Sequence, residues 1–457
     1  MRYLSTRGAE AVLDSNAPEF AEILLEGLAP DGGLYMPETW PPLDPPTGLS
    51  YQELTARVLA PFVDPDPIAS DLPAICRRAY GGFSHPDIAP LVDLGDGGSL
   101  LELYWGPTLS FKDYALQVVA RLFDATLSRL GRRSLVLGAT SGDTGSAAIA
   151  ACRGRDNIDI VILFPEGRVS DIQRRQMTTI TDANVTTVAV EGTFDDCQAL
   201  VKRAFVDPDL GLPLTAINSI NWARVAVQAS YYFWAASRLG EKGPVVFSVP
   251  TGNFGNVFAG YAAIRMGAPI SGLIVANNRN HGLTDLVMNG AISIAAVESS
   301  LAPAMDIQIP SNLERYLFEL CGRDGARVRQ WQHDLLSRGH LQLTATEHAS
   351  LREVMVAGWM EDDQVVEVMG RVYRETGLIM DPHTAIAWEV GQRLRPPESH
   401  LVTIATAHPA KFGPAVAQAI GREPDLPSEL ANLVDREERM LHMPNDYPTL
   451  FRLLRSA

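Results

Sequence analysis

From Ser134 onward, short apolar runs alternate with longer stretches at helical spacing. That alternation restricts what the chain can fold into more than any other feature. Ser134 to Gly138, Ile158 to Phe164 and Val185 to Val190 read as buried strands, as do Pro244 to Val249, Gly272 to Ala276 and Leu401 to Thr406. Helical stretches such as Trp222 to Leu239 and Val257 to Met266 lie between them. The pattern predicts an α/β chain built on open, twisted, mostly parallel sheets. Its 457 residues fit two such sheets better than one, with a boundary near residues 240–245. The first hundred residues are Pro-rich and read as loop-rich. The expected division is an N-terminal region over 1–95, a smaller α/β domain over 96–240 and a larger one over 241–457. In such sheets ligands bind beyond the carboxyl ends of the strands, at helix N-termini. The loops directly after the strands are therefore where chemistry is expected.

Composition narrows the classes. Hydrophobic residues at 46% and charged residues at 20% exclude wholesale disorder. Lys and Arg total 38 against 54 Asp and Glu, a formal net charge of −16, which argues against a general nucleic-acid binder or a protein of anionic membranes. The four cysteines are far apart and form no C-x-x-C pair, so neither a disulfide scaffold nor a zinc ribbon is expected. The nine histidines include no H-E-x-x-H motif, and no metal site is expected. Met1 to Arg7 holds no apolar signal core, and no apolar run reaches the ~18–20 residues that span a bilayer. A reducing cytoplasm is the expected compartment.

Four strand-end loops and one lysine carry the candidate chemistry. Gly138-Ala139-Thr140-Ser141-Gly142-Asp143-Thr144-Gly145 joins a strand to an Ala-rich helix, and its hydroxyls and free N–H groups suit an anion. It matches neither G-x-G-x-x-G nor the Walker A loop, which weakens a nucleotide reading. Gly252-Asn253-Phe254-Gly255-Asn256 opens an apolar helix and suits a phosphate cradle. In Ala405-Thr406-Ala407-His408-Pro409-Ala410-Lys411-Phe412, Thr406 sits at a strand end where its hydroxyl can meet a ring nitrogen. His408 and Lys411 read as solvated loop residues. Asn218-Ser219-Ile220-Asn221-Trp222-Ala223-Arg224 opens a long helix whose first turn can grip a phosphate or carboxylate. Lys112, in Ser110-Phe111-Lys112-Asp113, falls in the first turn of a helix with Leu116, Val119, Phe123, Leu127 and Leu130 on one face. That end carries positive partial charge, which helps free the amine as a nucleophile.

Each loop alone also fits an ordinary turn or cap. Together they supply an amine, a phosphate cradle, a hydroxyl for a ring nitrogen and hydroxyls for a carboxylate. Pyridoxal 5'-phosphate needs such partners. A neutral hydroxyl at the ring nitrogen favours an unprotonated pyridine.

The sequence resembles the threonine synthase family of fungi and many proteobacteria, within the type II (tryptophan-synthase-β-like) fold of pyridoxal-phosphate enzymes. The resemblance runs from Tyr3-Leu4-Ser5-Thr6-Arg7-Gly8 and Asp31-Gly32-Gly33-Leu34-Tyr35 through Gly106 to Asp113 and Ala139 to Gly145. Asn218 to Asn221, Gly252 to Asn256, Ala304-Met305-Asp306 and Ala405 to Phe412 complete it. The resemblance implies that Lys112 is the Schiff-base lysine, in the smaller domain with the substrate loop. It implies that Gly252, Asn253, Phe254, Gly255 and Asn256 hold the cofactor phosphate and that Thr406 faces the pyridine nitrogen. Ser141, Asp143 and Thr144 would receive the amino-acid end of the substrate, and Asn218 and Arg224 its phosphate. Many type II enzymes carry Asn at the position of Asp143, and relatives often carry an acidic residue where His281 stands.

The implied reaction turns O-phospho-L-homoserine and water into L-threonine and phosphate, with no metal. The implied partners are this small substrate alone, and monomer and homodimer both stay open. Rival readings are a hydroxyamino-acid dehydratase, a lyase that releases phosphate and a keto acid, a catalytically idle relative and a nucleotide-binding enzyme. The Asn218 to Arg224 segment favours a phosphorylated substrate, and retention of Lys112 argues against an idle relative.

Overall fold

Two parallel sheets dominate the computed structural model, which describes residues 1–8, 18–45, 47–95, 97–240 and 243–456. The larger has six strands in the order Met355–Trp359, Gly272–Asn277, Val245–Pro250, His400–Ala405, Gly98–Glu102 and Leu91–Gly95. All neighbours are parallel except the last pair, which is antiparallel. The smaller has five parallel strands, Leu441–Pro444, Val185–Glu191, Ile158–Pro165, Ser134–Ala139 and Leu214–Thr215. The strands expected from the apolar runs are present within a residue or so at each end.

Sheet membership does not follow contiguous segments of chain. Gly98–Glu102, inside the segment 96–240, pairs with His400–Ala405 in the larger sheet. It is buried along its whole length, as an inner strand of a covered sheet must be. Leu441–Pro444, inside 241–457, returns to the smaller sheet and covers the edge that Val185–Glu191 would otherwise expose. The boundary positions 96 and 241 themselves lie outside the described residues.

The helix Trp222–Leu239 is buried on nearly every face, unlike an amphipathic surface helix. Its cap, Asn221, accepts from the Ala223 N–H (3.0 Å) and donates through Nδ2 to the Leu24 carbonyl (2.8 Å). The N-terminal region therefore buttresses this helix. Tyr3, Trp40 and Phe62 ring Trp222 at centroid distances of 6.5, 6.0 and 5.4 Å. That region holds more helix than its prolines suggest. Tyr51–Val63 starts with a Ser50–Glu53 capping box and buries Leu54, Val58, Leu59 and Phe62.

The lysine helix is Lys112–Leu130. Leu116, Val119, Phe123 and Leu127 form its buried face, but Leu130 is exposed because Gly131 ends the helix in a left-handed cap. No helix among the described residues is long and apolar enough to cross a membrane.

Candidate active site

The site lies at the carboxyl ends of both sheets. Lys112 follows the larger-sheet strand Gly98–Glu102, and Asp143 begins the helix Asp143–Cys152 that follows the smaller-sheet strand Ser134–Ala139. Their charged groups meet across the junction, with Lys112 Nζ 3.6 Å from Asp143 Oδ2.

Backbone bonds fix the lysine against the loop after His400–Ala405. The Phe111 N–H donates to the Thr406 carbonyl (2.8 Å), the His408 N–H donates to the Leu109 carbonyl (3.1 Å), and Ser110 bridges Ala407. Thr406 is thus tied to the residue next to Lys112, and it is buried. Behind the lysine, Asp113 accepts from both the Thr108 N–H and its hydroxyl, each at 2.8 Å. Burial pushes the Asp113 carboxyl up to about 6 against these bonds.

Asp143 is held from several sides. Oδ1 takes the Lys411 ammonium at 2.7 Å and the Gln173 amide at 2.8 Å, while Oδ2 faces Lys112. Burial alone would raise this carboxyl; the two lysines outweigh it and hold Asp143 well below the ordinary carboxylate range. Gly142 has φ of 147°, and a Cβ there would lie 2.5 Å from Gln173, so glycine is required for this approach. Thr140 Oγ1 accepts from the N–H groups of Gly142 (3.0 Å) and Gly145 (2.8 Å) and shapes the loop from within. Ser141 is exposed at the rim and Thr144 half-buried.

Lys411 overturns its reading as a solvated loop residue. Its side chain is fully buried, and Nζ also donates to the Thr108 carbonyl (2.8 Å). His408 is not freely solvated either. It caps the short helix Pro409–Phe412 through Nδ1 and packs edge-on against Tyr104, and burial lowers its imidazole.

The loop 252–256 follows the strand Val245–Pro250 and opens the helix Gly255–Arg265. Phe254 takes a left-handed φ of 63° at the start of the helix, whose first-turn N–H groups have no partner within the helix. A Cβ on Gly252 would stand 2.2 Å from the Ala304 carbonyl oxygen. Asn312 Nδ2 reaches both the Asn253 carbonyl (3.2 Å) and the Ser219 carbonyl (3.1 Å), which joins this loop to the one bearing Asn218. Asn256 Oδ1 accepts from Tyr231 (2.6 Å) and Tyr232 (3.0 Å), but its buried Nδ2 has no partner.

Arg224, in the first turn of the central helix Trp222–Leu239, is buried, and its Nε and Nη1 have no partner. Burial pushes its guanidinium down to about 10. Asn218 spends its side-chain oxygen on the Ile220 N–H (3.2 Å), an ordinary turn contact. The Lys112 amine is lowered by burial first; Asp143 opposes the shift, while Lys411 and Arg224 add to it. His281 stacks on Trp359 at 4.4 Å, beside the far strand of the larger sheet.

Orphaned donors at Asn256 and Arg224, and a Gly252 that tolerates no side chain, fit an anionic ligand, and Arg224 bears on the depressed lysine. They suit the phosphate and aldehyde of pyridoxal phosphate. A pyridoxal-phosphate dependent enzyme family model matches residues 101–406, a threonine synthase N-terminal model residues 2–80 and a threonine synthase C-terminal model residues 384–452. A threonine synthase of Pseudomonas aeruginosa is 46% identical, covering 98% of this chain and 96% of its own. The chain belongs to the threonine synthase family. Among solved structures, pyridoxal-phosphate-bound threonine synthase from Brucella melitensis superposes with a TM-score of 0.96 at 44% identity, covering 100% of this chain and 99% of that one. Threonine synthase from yeast does so at 0.93 and 34% identity, covering 100% and 97%. The threonine synthase fold is thus a type II pyridoxal-phosphate architecture with an N-terminal region docked on its central helix.

Proposed function

We infer that this chain converts O-phospho-L-homoserine and water into L-threonine and phosphate, the last step of threonine biosynthesis. The observation that carries the reading is the buried guanidinium of Arg224, whose Nε and Nη1 lack partners, bearing on the depressed amine of Lys112. A charge left so exposed to desolvation calls for an anionic partner, and a substrate phosphate provides one.

Bound pyridoxal phosphate supplies an electron sink for charge that develops at the substrate Cα. Lys112 would link the cofactor, and its Nζ would hold and move the proton at the substrate Cα. The loop Gly252 to Asn256 would hold the cofactor phosphate, and the Thr406 hydroxyl would be the partner of its ring nitrogen. Ser141, Asp143 and Thr144 orient the amino-acid end of the substrate. Arg224 and Asn218 would hold the substrate phosphate, the group that leaves Cγ. The four free thiols, three of them buried, suit a reducing cytoplasm.

Product analysis tests the assignment. Protein reconstituted with pyridoxal phosphate and given O-phospho-L-homoserine is expected to yield threonine and phosphate in equal amounts. Phosphate with a keto acid would retain fold and cofactor but exclude water addition as the outcome. No phosphate release would reject the substrate.

Gly252→Ala tests the cradle. Its Cβ would meet a backbone oxygen, which cannot swing aside as a side chain can. A displacement of this kind costs about 100-fold where geometry is critical. Titration of the apoprotein by visible absorbance is expected to show pyridoxal phosphate binding weakened by about 10- to 100-fold, with the far-ultraviolet circular dichroism spectrum unchanged. Wild-type affinity would remove loop 252–256 from the phosphate site.

A further inference from the structure

We propose that Lys411 is a positioning residue that keeps Asp143 ionised and aimed at Lys112 when Lys112 itself carries no free ammonium. The inference rests on the reading of Lys112 as the cofactor lysine. The two oxygens of Asp143 have separate duties. Oδ1 is engaged by Lys411 at 2.7 Å and Gln173 at 2.8 Å, and Oδ2 faces Lys112 at 3.6 Å. Lys411 cannot leave this arrangement by a simple rotation. Its side chain is fully buried, and Nζ is also bound to the Thr108 carbonyl, in the turn that precedes the lysine helix.

The charge count makes the need plain. In the free protein Asp143 has two cations beside it. When Lys112 becomes an imine with the cofactor aldehyde, one water leaves and the amine no longer offers Asp143 a free ammonium. A buried carboxylate without a cation would then protonate or turn away. Lys411 remains as the permanent counter-ion, so Asp143 keeps its charge and direction through the change at Lys112. Lys411 also acts on Lys112 directly, because a second cation disfavours its protonated form. The charged groups that bear on Lys112 are Asp143 on the smaller-domain helix, Lys411 on the loop after His400–Ala405, and Arg224 on the central helix.

The experiment follows, by visible absorbance, how pyridoxal phosphate becomes lysine-linked in the apoprotein as a function of pH. Lys411→Met removes a cation beside Lys112, so its amine holds a proton more firmly. The rising limb of linkage formation is expected to move up by about one pH unit or more. The double variant Lys411→Met with Asp143→Asn removes both charges and is expected to return the limb toward the wild-type position. Lys411→Gln keeps a polar end without the charge and carries the same expectation should the methionine variant not fold. A wild-type pH profile in the neutral variants would overturn the inference and leave Lys411 a structural tie alone. A double variant as shifted as the single one would overturn it too, because Asp143 would then bear no charge on Lys112 for Lys411 to hold in place. Lys112→Ala serves as the control: lysine-linked absorbance in that variant would reject the reading of Lys112 instead.

Discussion

Lys112→Ala is expected to lower threonine formation by about 1,000-fold or more and to abolish the visible absorbance of lysine-linked cofactor. Two separate losses add here. The covalent anchor for the cofactor disappears, and so does the base at the substrate Cα. The fold is expected to survive. The Lys112 side chain is mostly buried, yet Asp143, its ion-pair partner among the described residues, keeps Lys411 at 2.7 Å and Gln173 at 2.8 Å. Removing the lysine therefore leaves no carboxylate unpaired, and it deletes an ammonium that burial already disfavours. The thermal midpoint of the apoprotein is expected to change by a few degrees at most, since ~1 kcal/mol moves a domain of about 150–250 residues by about 2–4 °C and a larger one by less. Full turnover in Lys112→Ala would sink the assignment. A collapsed fold would mean that the lysine acts in the core as well as in the site.

Much of this arrangement was legible in the sequence, and what was not shares a physical cause. Strand-helix alternation locates the strands because burial on both faces of a parallel sheet leaves continuous apolar runs. The position of Lys112 at a helix start follows from the apolar spacing behind it. The Gly252 to Asn256 turn is visible because glycine is needed where a Cβ would strike Ala304. Lys411 escaped because its loop, rich in small and polar residues, looks solvated. Its burial exists only once the fold brings Asp143 and Thr108 to its ammonium. Gln173 and Asn312 carry no local signal either, since each acts on a loop distant in sequence. The strand exchanges have the same origin. Gly98–Glu102 is too short to show a period, and nothing local in Leu441–Pro444 names its partner. The helix Tyr51–Val63 is the exception, because its Ser50–Glu53 capping box is a local signal that the surrounding prolines outweighed.

Arg224→Met separates binding from stability by moving them in opposite directions. In the free protein the guanidinium is buried, two of its nitrogens lack partners, and burial pushes it down to about 10. Such a group costs stability until an anion arrives, about 1–3 kcal/mol for each buried polar group left unsatisfied. Methionine has comparable length and no charge, so it fills the space without that penalty. The apoprotein is expected to unfold at the same temperature or a higher one. Substrate binding is expected to suffer, since losing one partner of a desolvated charge pair costs about 2–5 kcal/mol. That corresponds to a rise of roughly 30-fold or more in KM for O-phospho-L-homoserine. Cofactor binding should move far less if Arg224 serves the substrate phosphate and not that of pyridoxal phosphate. Parallel titrations of both ligands decide the point. A large loss of cofactor affinity with KM unchanged would transfer Arg224 to the cofactor cradle. A fall in thermal stability would show that the guanidinium is satisfied in the free protein and that no bound anion is needed to explain it.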